Sequence, residues 1–211
     1  MRPDVKAISA LVLLAFGALL SGCMGSLIPK APDRAVYGLP QAQSMHARQP
    51  LPAALLVELP LAGAPLASRD IVVQREDGEI QVLPGVRWAA PAPQLLQNLI
   101  AQQIESAGSA PSVAQTSQAH SLPLRLAIEL RAFELRDRQG QLSAHAAVSL
   151  RLICTHDARI IAASPALAVE ASPVPSQPAA ATSALRESAA GLARQVVLWL
   201  DKVDTRSCKV D

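Results

Sequence analysis

The sequence predicts an α+β fold in which two amphipathic helices pack on one face of an antiparallel β-sheet. Two observations carry this prediction. Segments with a two-residue hydrophobic period are joined by turn sequences, and two segments have a helical period instead. The order along the chain is strands, helix, strands, helix, which is typical of hairpins that are covered on one side by helices.

The first four predicted strands are short and are bounded by proline or turn residues. We predict strands at 34–39 and 53–61, with a polar loop between them. Two further strands, 68–77 and 79–84, flank an Asp-Gly pair. Asp-Gly between two strands is a strong β-hairpin signal, because both residues tolerate the left-handed turn conformation.

The segment 85–108 has a helical period. Its large apolar residues recur at intervals of three and four, which predicts about four turns with one apolar face. Two prolines suit the first turn and Gly108 suits the end. We expect a loop at 109–121. The apolar residues of the helix are Leu96, Leu99, Ile100 and Ile104.

A long hairpin is predicted over 122–154. Its hydrophobic phase slips from even-numbered to odd-numbered residues, so we place a β-bulge near Arg131–Ala132. Residues 137–141 hold the turn. The stretch 160–172 is predicted as an edge strand, because a proline interrupts it at 165. A final helix with one apolar stripe is predicted from Ser183 to Val203.

The N-terminus has the pattern of an exported lipoprotein. An apolar run of 14 residues, from Ala7 to Leu20, is too short to span a membrane and suits an export signal. It ends in Leu-Ser-Gly-Cys, which looks like the lipobox of bacterial lipoproteins, so Cys23 is the predicted lipidation site. Met24 follows, where an aspartate would favour retention in the inner membrane. The periplasmic face of the outer membrane is therefore the expected location.

The predicted organisation has three parts. Residues 1–22 form the lipoprotein signal peptide, residues 23–33 form a lipidated tether, and residues 34–211 form a single α+β domain. An oxidising periplasm allows a disulfide between Cys154 and Cys208. The alternative is two separate buried thiols.

The composition gives no sign of a reacting site. The net charge is +2 and aromatic residues make up 2% of the chain, so nucleic acid is not an expected partner. The sequence contains no nucleophile-elbow, phosphate-loop or zinc-protease motif. We therefore predict no catalytic residue, no metal and no cofactor apart from the lipid on Cys23. A minor alternative is a metal site formed by His145 and His156 across a hairpin.

A set of short motifs occurs in a fixed order. The lipobox at Cys23 precedes a Tyr-x-Leu strand at 37–39. An Arg-x-Ile-Val strand at 69–72, an Arg-Trp-Ala step at 87–89 and a terminal helix that closes near Trp-Leu at 199–200 follow. This set resembles the ABC-type transport auxiliary lipoprotein family, which includes the lipoprotein of paraquat-inducible Mce-domain systems.

The resemblance implies a non-enzymatic role in lipid transport across the envelope. Its implied partners are a periplasmic Mce-domain protein, an inner-membrane permease and an ATPase, and a homo-oligomer is left open. Docking by strand addition at 68–75 or at 160–172 is the working hypothesis. Trp88 is interpreted as a packing anchor or as a contact to a partner or lipid. The candidate partner contacts are Arg69, Ile71, Val72, Arg87 and Trp88.

A second function from another class fits the same composition. The chain could serve as a stand-alone assembly lipoprotein, a scaffold or chaperone for an outer-membrane protein. Genomic neighbours discriminate the two hypotheses, because transport predicts adjacent permease and ATPase genes, whereas assembly predicts an adjacent barrel or secretion gene.

Overall fold

A computed structural model of the chain describes residues 33–115 and 122–208. The predicted signal peptide, the lipobox at Cys23 and nearly all of the tether lie outside this part. The described residues form ten strands and two helices. In chain order they are β1 (Ala35–Tyr37), β2 (Leu55–Val57), β3 (Val72–Arg75), β4 (Ile80–Val82), β5 (Val86–Trp88), α1 (Ala92–Ser106), β6 (Val113–Ala114), β7 (Leu124–Arg138), β8 (Gln141–Cys154), β9 (Arg159–Ala163), β10 (Leu167–Val174) and α2 (Pro178–Leu200).

A long antiparallel hairpin of β7 and β8 forms the centre of the main sheet. The pairing register shifts between Leu130 and Ala132, so the predicted bulge is confirmed. The shift lets Leu130 and Phe133 both face the core, where both are buried. The hairpin turns at Gln139 and Gly140, whose φ angles of 54° and 80° are both left-handed, as a two-residue hairpin turn requires.

The two halves of this hairpin pair with different strands. The first half of β7 pairs with β2, which also pairs with β6, and the second half pairs with β3. The beginning of β8 pairs with β10 and its end pairs with β9. The hairpin therefore organises the whole main sheet.

The α+β class is confirmed, and the sheet, which was predicted as antiparallel, is mixed. The pairs β2–β7, β3–β7, β2–β6 and β1–β5 are parallel. The connections from β2 and β3 to β7 pass through α1, and such a crossover returns the chain to the sheet in the original direction. Local sequence patterns show where strands lie but do not reveal such distant partners.

The Asp-Gly hairpin is confirmed, with β3 and β4 paired antiparallel on its two sides. Gly78 has a φ of 87°, and Asp77 Oδ1 accepts a hydrogen bond of 3.0 Å from the Glu79 amide. Strand β5 was not predicted. It has three residues, pairs with β1, and leads directly into the prolines that start α1, so its own pattern is too short to detect.

Both helices pack on one face of the sheet, as predicted, and they also contact each other. Helix α1 covers β2 and β6, and α2 covers β7, β8 and β10. Helix α2 begins at Pro178, earlier than the predicted Ser183, because the alanine-rich segment 178–183 favours helix and buries Ala181. The described residues from Arg34 onwards form one compact unit.

The structure contains a disulfide between Cys154 and Cys208, with Cα atoms 5.6 Å apart. Cys154 is the last residue of β8, and Cys208 lies in the segment that follows α2. Both are buried. The bond therefore fixes the C-terminal segment to the end of the central hairpin.

Candidate functional site

The structure separates the five residues that were predicted to contact a partner. Ile71, Val72 and Trp88 are buried, so a partner cannot reach them. Trp88 stacks on Phe133 and is a packing anchor. The remaining two, the side chains of Arg69 and Arg87, are exposed. The sequence motif that suggested these three apolar residues as partner contacts therefore identifies buried residues and not a contact surface.

The two edges proposed for strand addition also differ. Strand β3 pairs with β4 on one side and with β7 on the other, so docking at 68–75 is excluded. Strands β9 and β10 pair only with β8 among the described residues. An open edge therefore remains at 160–172, whereas the edge at 68–75 is used inside the fold.

A cleft of about 680 Å³ opens between the segment 59–62 and the start of α1. Its walls include Leu59, Leu61, Pro91 and Pro93, and three glutamine side chains add polar groups. No charged side chain lines it among the described residues. We refer to this feature, with residues 59–62 as its floor, as the uncharged cleft.

The floor of the uncharged cleft continues β2 along the edge of β7. The amide of Glu58 donates to the Leu126 carbonyl at 3.0 Å, and the amide of Leu61 donates to the Ile128 carbonyl at 2.8 Å. The Leu61 carbonyl accepts from Leu130 at 2.8 Å. On the opposite edge, β6 stops at Ala114. Beyond that point, segment 58–62 has no second strand partner within the described part of the chain.

Gln97 marks the end of the β2–β6 pairing. Its side chain is buried, and Nε2 donates to the carbonyls of Val57 and Gln115, both at 3.0 Å. A second buried glutamine, Gln103, bonds both backbone groups of Gln43, with distances of 2.7 and 2.9 Å. These two residues connect α1 to β2 and to the N-terminal loop.

Sequence reasoning missed both glutamines because their side chains are polar. The available signal was their position on the helix. Gln97 and Gln103 each lie three residues from Ile100, so helical geometry places them beside the apolar face. A glutamine at such a position has to find backbone partners, because a buried amide without hydrogen bonds is destabilising.

The sheet face opposite the helices is charged, in contrast to the uncharged cleft. It carries ion pairs between neighbouring strand residues at distances of 2.9–3.2 Å. The ion pairs are Arg125–Glu58, Arg131–Glu129 and Arg136–Glu134.

His145 has a shifted pKa. Burial lowers the pKa of His145 below its usual 6.5, and the nearby Arg136 lowers it further.

The structure does not bring together the two histidines of the alternative metal site. His145 lies within β8, and His156 lies in the turn beyond the other end of that strand. The strand separates them by roughly 30 Å at its rise of about 3.3 Å per residue. Within residues 33–115 and 122–208, no three His, Cys, Asp or Glu side chains group as metal ligands would.

The helices of the described segments do not reach the combination of length and hydrophobicity that a membrane span requires. Helix α2 is the longer of the two, with 23 residues. Its apolar side chains cover the sheet, and Leu185, Leu192 and Val196 are buried there.

The fold places the protein in the α+β class, with a mixed sheet and two helices on one face. Residues 37–197 match the family model for the ABC-type transport auxiliary lipoprotein component. The chain belongs to this family, as its ordered motifs predicted. A comparison with curated protein sequences finds no match.

Solved structures with TM-scores above 0.5 share the fold. A protein from Xanthomonas campestris assigned to the family DUF330 is 26% identical, with a TM-score of 0.70, and the match covers 78% of this chain and 94% of that one. An uncharacterised protein is 15% identical with a TM-score of 0.61, covering 80% and 99%. A PelC dodecamer from Paraburkholderia phytofirmans, at 10% identity and a TM-score of 0.38, covers 74% and 96% and is too distant to inform on assembly.

Proposed function

We propose that this protein is a non-enzymatic lipoprotein of the outer membrane that serves an Mce-type ABC transporter. The transporter moves lipids across the envelope, and the lipoprotein docks or stabilises its periplasmic part. The match of residues 37–197 to the auxiliary lipoprotein family carries this proposal. The exposed, uncharged cleft supports it, because a docking protein needs an accessible surface and not a reacting centre.

Cys23 has the role of the anchor in this proposal. The thiolate takes a diacylglycerol from a phospholipid, which leaves as its headgroup phosphate. Hydrolysis of the Gly22–Cys23 peptide bond then frees the amine of Cys23, and this amine takes a further acyl chain from a second lipid. Two or three acyl chains hold a protein on a bilayer durably, because each buried methylene contributes about 0.8 kcal/mol. The tether 24–33 then separates the first strand from the membrane surface.

Detergent co-purification of the full-length chain tests the function. The wild type is compared with Cys23→Ala, and the retained proteins are identified by mass spectrometry. We expect an Mce-domain protein, its permease and its ATPase with the wild type, and a reduced yield with the variant. The mass of the mature N-terminal peptide reports separately whether Cys23 carries lipid.

Two results would overturn the proposal. One is recovery of an outer-membrane barrel without transporter subunits, which would favour the assembly-lipoprotein hypothesis. The other is an unmodified Cys23 in wild-type protein isolated from membranes. If the lipidated protein fractionated with the inner membrane, the proposed location would be wrong, but the proposed partners would be unaffected.

A further inference from the structure

We propose that the lipidated tether docks on its own domain, where residues 30–33 add as a strand to the open edge of β4. The occupant of this edge is a segment of the same chain, and residues 30–32 of it lie outside the described part. The inference rests on the proposed function, which supplies the lipid on Cys23. It deepens that function by fixing which end of the domain lies nearest to the membrane.

The backbone of β4 has one unpaired edge. Among the described residues, β4 pairs with β3 alone. The Leu83 amide donates to the residue before β3 at 2.8 Å, and the Glu79 carbonyl accepts from the last residue of β3 at 2.9 Å. The register between these two bonds is regular, and alternate residues of an antiparallel strand face the same neighbour. The N–H and C=O groups of Ile80 and Val82 therefore point away from β3.

The side chains along this edge are apolar and exposed. Ile80 is 45% exposed and Val82 is 43% exposed. No large apolar side chain is exposed to this extent on β10, which also has an open edge among the described residues. An exposed apolar edge is a template for a further strand, and proteins usually cover such an edge. Strand β4 is therefore the edge that needs a cover.

Strand β1 lies on the same side of the fold as this edge. The amides of Leu83 and Trp88 donate to the carbonyls of Ile71 and Arg69, so β4 and β5 both run along one edge of segment 69–75. On its other side, β5 bonds to β1, where the Ala35 amide donates to the carbonyl of residue 85 at 2.8 Å. Strand β1 therefore lies beyond β5, on the side to which β4 presents its unpaired groups.

The direction of β1 brings the tether to β4. Strands β1 and β5 are parallel, so the chain before Ala35 runs back from Gly85 towards β4. Gly85 follows the last residue of β4 by only three positions. A segment that is covalently attached so close to its site has a high effective concentration there, which a separate partner would have to exceed.

The prolines of the tether suit an added edge strand. The Ala35 amide faces β5. In an unbroken extension of β1, alternation directs Ala31 to the same side and Pro32 to the solvent side. The missing N–H of Pro32 then costs no hydrogen bond, which is the position that proline occupies in edge strands. Pro29 would face β4 without a donor, so the added strand ends at Lys30.

Charge and hydrophobicity also favour the tether as the occupant. Residues 76–79, in the β3–β4 turn, carry three exposed carboxylates, and only one of them has Arg75 within 4 Å in this turn, at 3.9 Å. Lys30 is the only basic residue of the tether, and opposite charges on neighbouring strands attract. Leu27 and Ile28 precede it and can cover the apolar side chains of β4.

Docking shortens the connection between the domain and the membrane. With pairing up to Lys30, residues 24–29 can span at most about 20 Å, whereas residues 24–33 of a free tether can span about 35 Å. The tether leaves β4 at the β3–β4 turn, so this turn faces the bilayer. The β7–β8 turn lies beside it, because Arg75 and Asp137 form an ion pair of 3.3 Å.

Amide hydrogen exchange followed by NMR spectroscopy tests the docking in the mature, lipidated chain in detergent micelles. The amides of Ile80 and Val82 report on the edge, because β3 leaves them unpaired. We expect both amides to exchange at least tenfold more slowly than the intrinsic rate of an unpaired amide, since the tether gives them hydrogen-bond acceptors.

Proline variants locate the docking. Ala31→Pro removes the N–H that faces β4 and should return both reporter amides to the unpaired rate. Ser26→Pro is the matched control, because it introduces the same residue before the docking segment and should keep the wild-type protection. Lys30→Glu should reduce the protection at least threefold, and Glu79→Lys in the same chain should restore it. Unchanged amide spectra of β7 and β8 establish that each variant is folded.

The inference is overturned if Ile80 and Val82 exchange at the unpaired rate in the wild type, or if Ala31→Pro keeps their protection. Protection that falls on tenfold dilution would place a second copy on the edge and would overturn it too. Co-purification separates the two proposals. A protected edge in a protein that recovers no transporter subunits leaves the docking standing and removes the function, whereas an unprotected edge with subunits recovered removes the docking alone.

Discussion

The indole ring of Trp88 stacks on the phenyl ring of Phe133, with centroids 5.2 Å apart and ring planes inclined by 19°. Trp88 ends β5, and Phe133 follows the bulge in β7. Both rings are buried. The bulge is what turns Phe133 into the core, so the stacked pair depends on the register shift as well as on the two residue types.

Removing either ring should destabilise the domain strongly. We expect Trp88→Ala and Phe133→Ala each to lower the free energy of unfolding by about 3–5 kcal/mol, because each leaves a large cavity. Urea unfolding followed by circular dichroism measures the effect. The double variant should show a coupling of about 0.5–1.5 kcal/mol, and additive losses would contradict a specific interaction between the rings.

Loss of the disulfide should weaken the C-terminal attachment. Cys154 and Cys208 are 54 residues apart in sequence, and a bond that closes such a loop stabilises by about 4 kcal/mol in the chain-entropy model. Replacing both cysteines with alanine should lower the free energy of unfolding by an amount of that order. Reductant should destabilise the wild type and leave the double variant unchanged, and equal responses would show that the bond does not form.

Gly191 of α2 packs against Val169 of β10. A Cβ at this position would lie 3.2 Å from Cγ1 of Val169, so a larger side chain must push the Val169 side chain aside. We expect Gly191→Leu to destabilise by about 1–3 kcal/mol in urea unfolding. Val169→Ala should partly restore stability. Gln195→Leu, at an exposed position of the same helix, is the matched control and should be nearly neutral.

The pH dependence of stability should include a contribution from His145. Burial and Arg136 lower its pKa in the folded protein, although Glu134 and Glu170 oppose this shift. The unfolded chain therefore binds the proton more readily, and stability is lost as the pH falls from above 6.5 towards the folded pKa. His145→Gln should reduce this loss between pH 7.5 and pH 5.5.

Urea midpoints at the two pH values measure the effect at His145. His156→Gln, which changes an exposed histidine in the turn after β8, is the matched control and should keep the wild-type slope. An unchanged slope in His145→Gln would contradict the lowered pKa. A steeper slope in that variant would contradict its direction.

The elements that were predicted correctly are those whose signal is local. The bulge at Leu130–Ala132, the Asp-Gly hairpin and the apolar face of α1 each follow from a short run of residues. The parallel pairing of β2 and β3 with β7 depends on contacts between distant segments, which a local period does not encode. The uncharged cleft was missed for the same reason, because tertiary packing brings α1 and segment 59–62 together.

Ile71 and Val72 show that the role of a single residue is also hard to predict from the sequence, because both side chains are buried. Their place in a family-like motif suggested a contact surface, but both side chains are buried, and Ile71 is part of the hydrophobic core. A motif identifies residues that matter without saying whether they matter for packing or for binding. Burial in the folded chain makes that distinction.

The parallel pairing of β2 and β3 with β7 also has a consequence for biosynthesis. The ribosome releases the N-terminal strands first, but their shared partner begins only at Leu124. Until then, β3 can pair only with β4 and β2 only with β6, and both lack the central strand of the sheet. Chains whose contacts are this distant fold slowly and expose apolar strands in the meantime. The nascent protein should therefore depend on holding chaperones until its second half has been made.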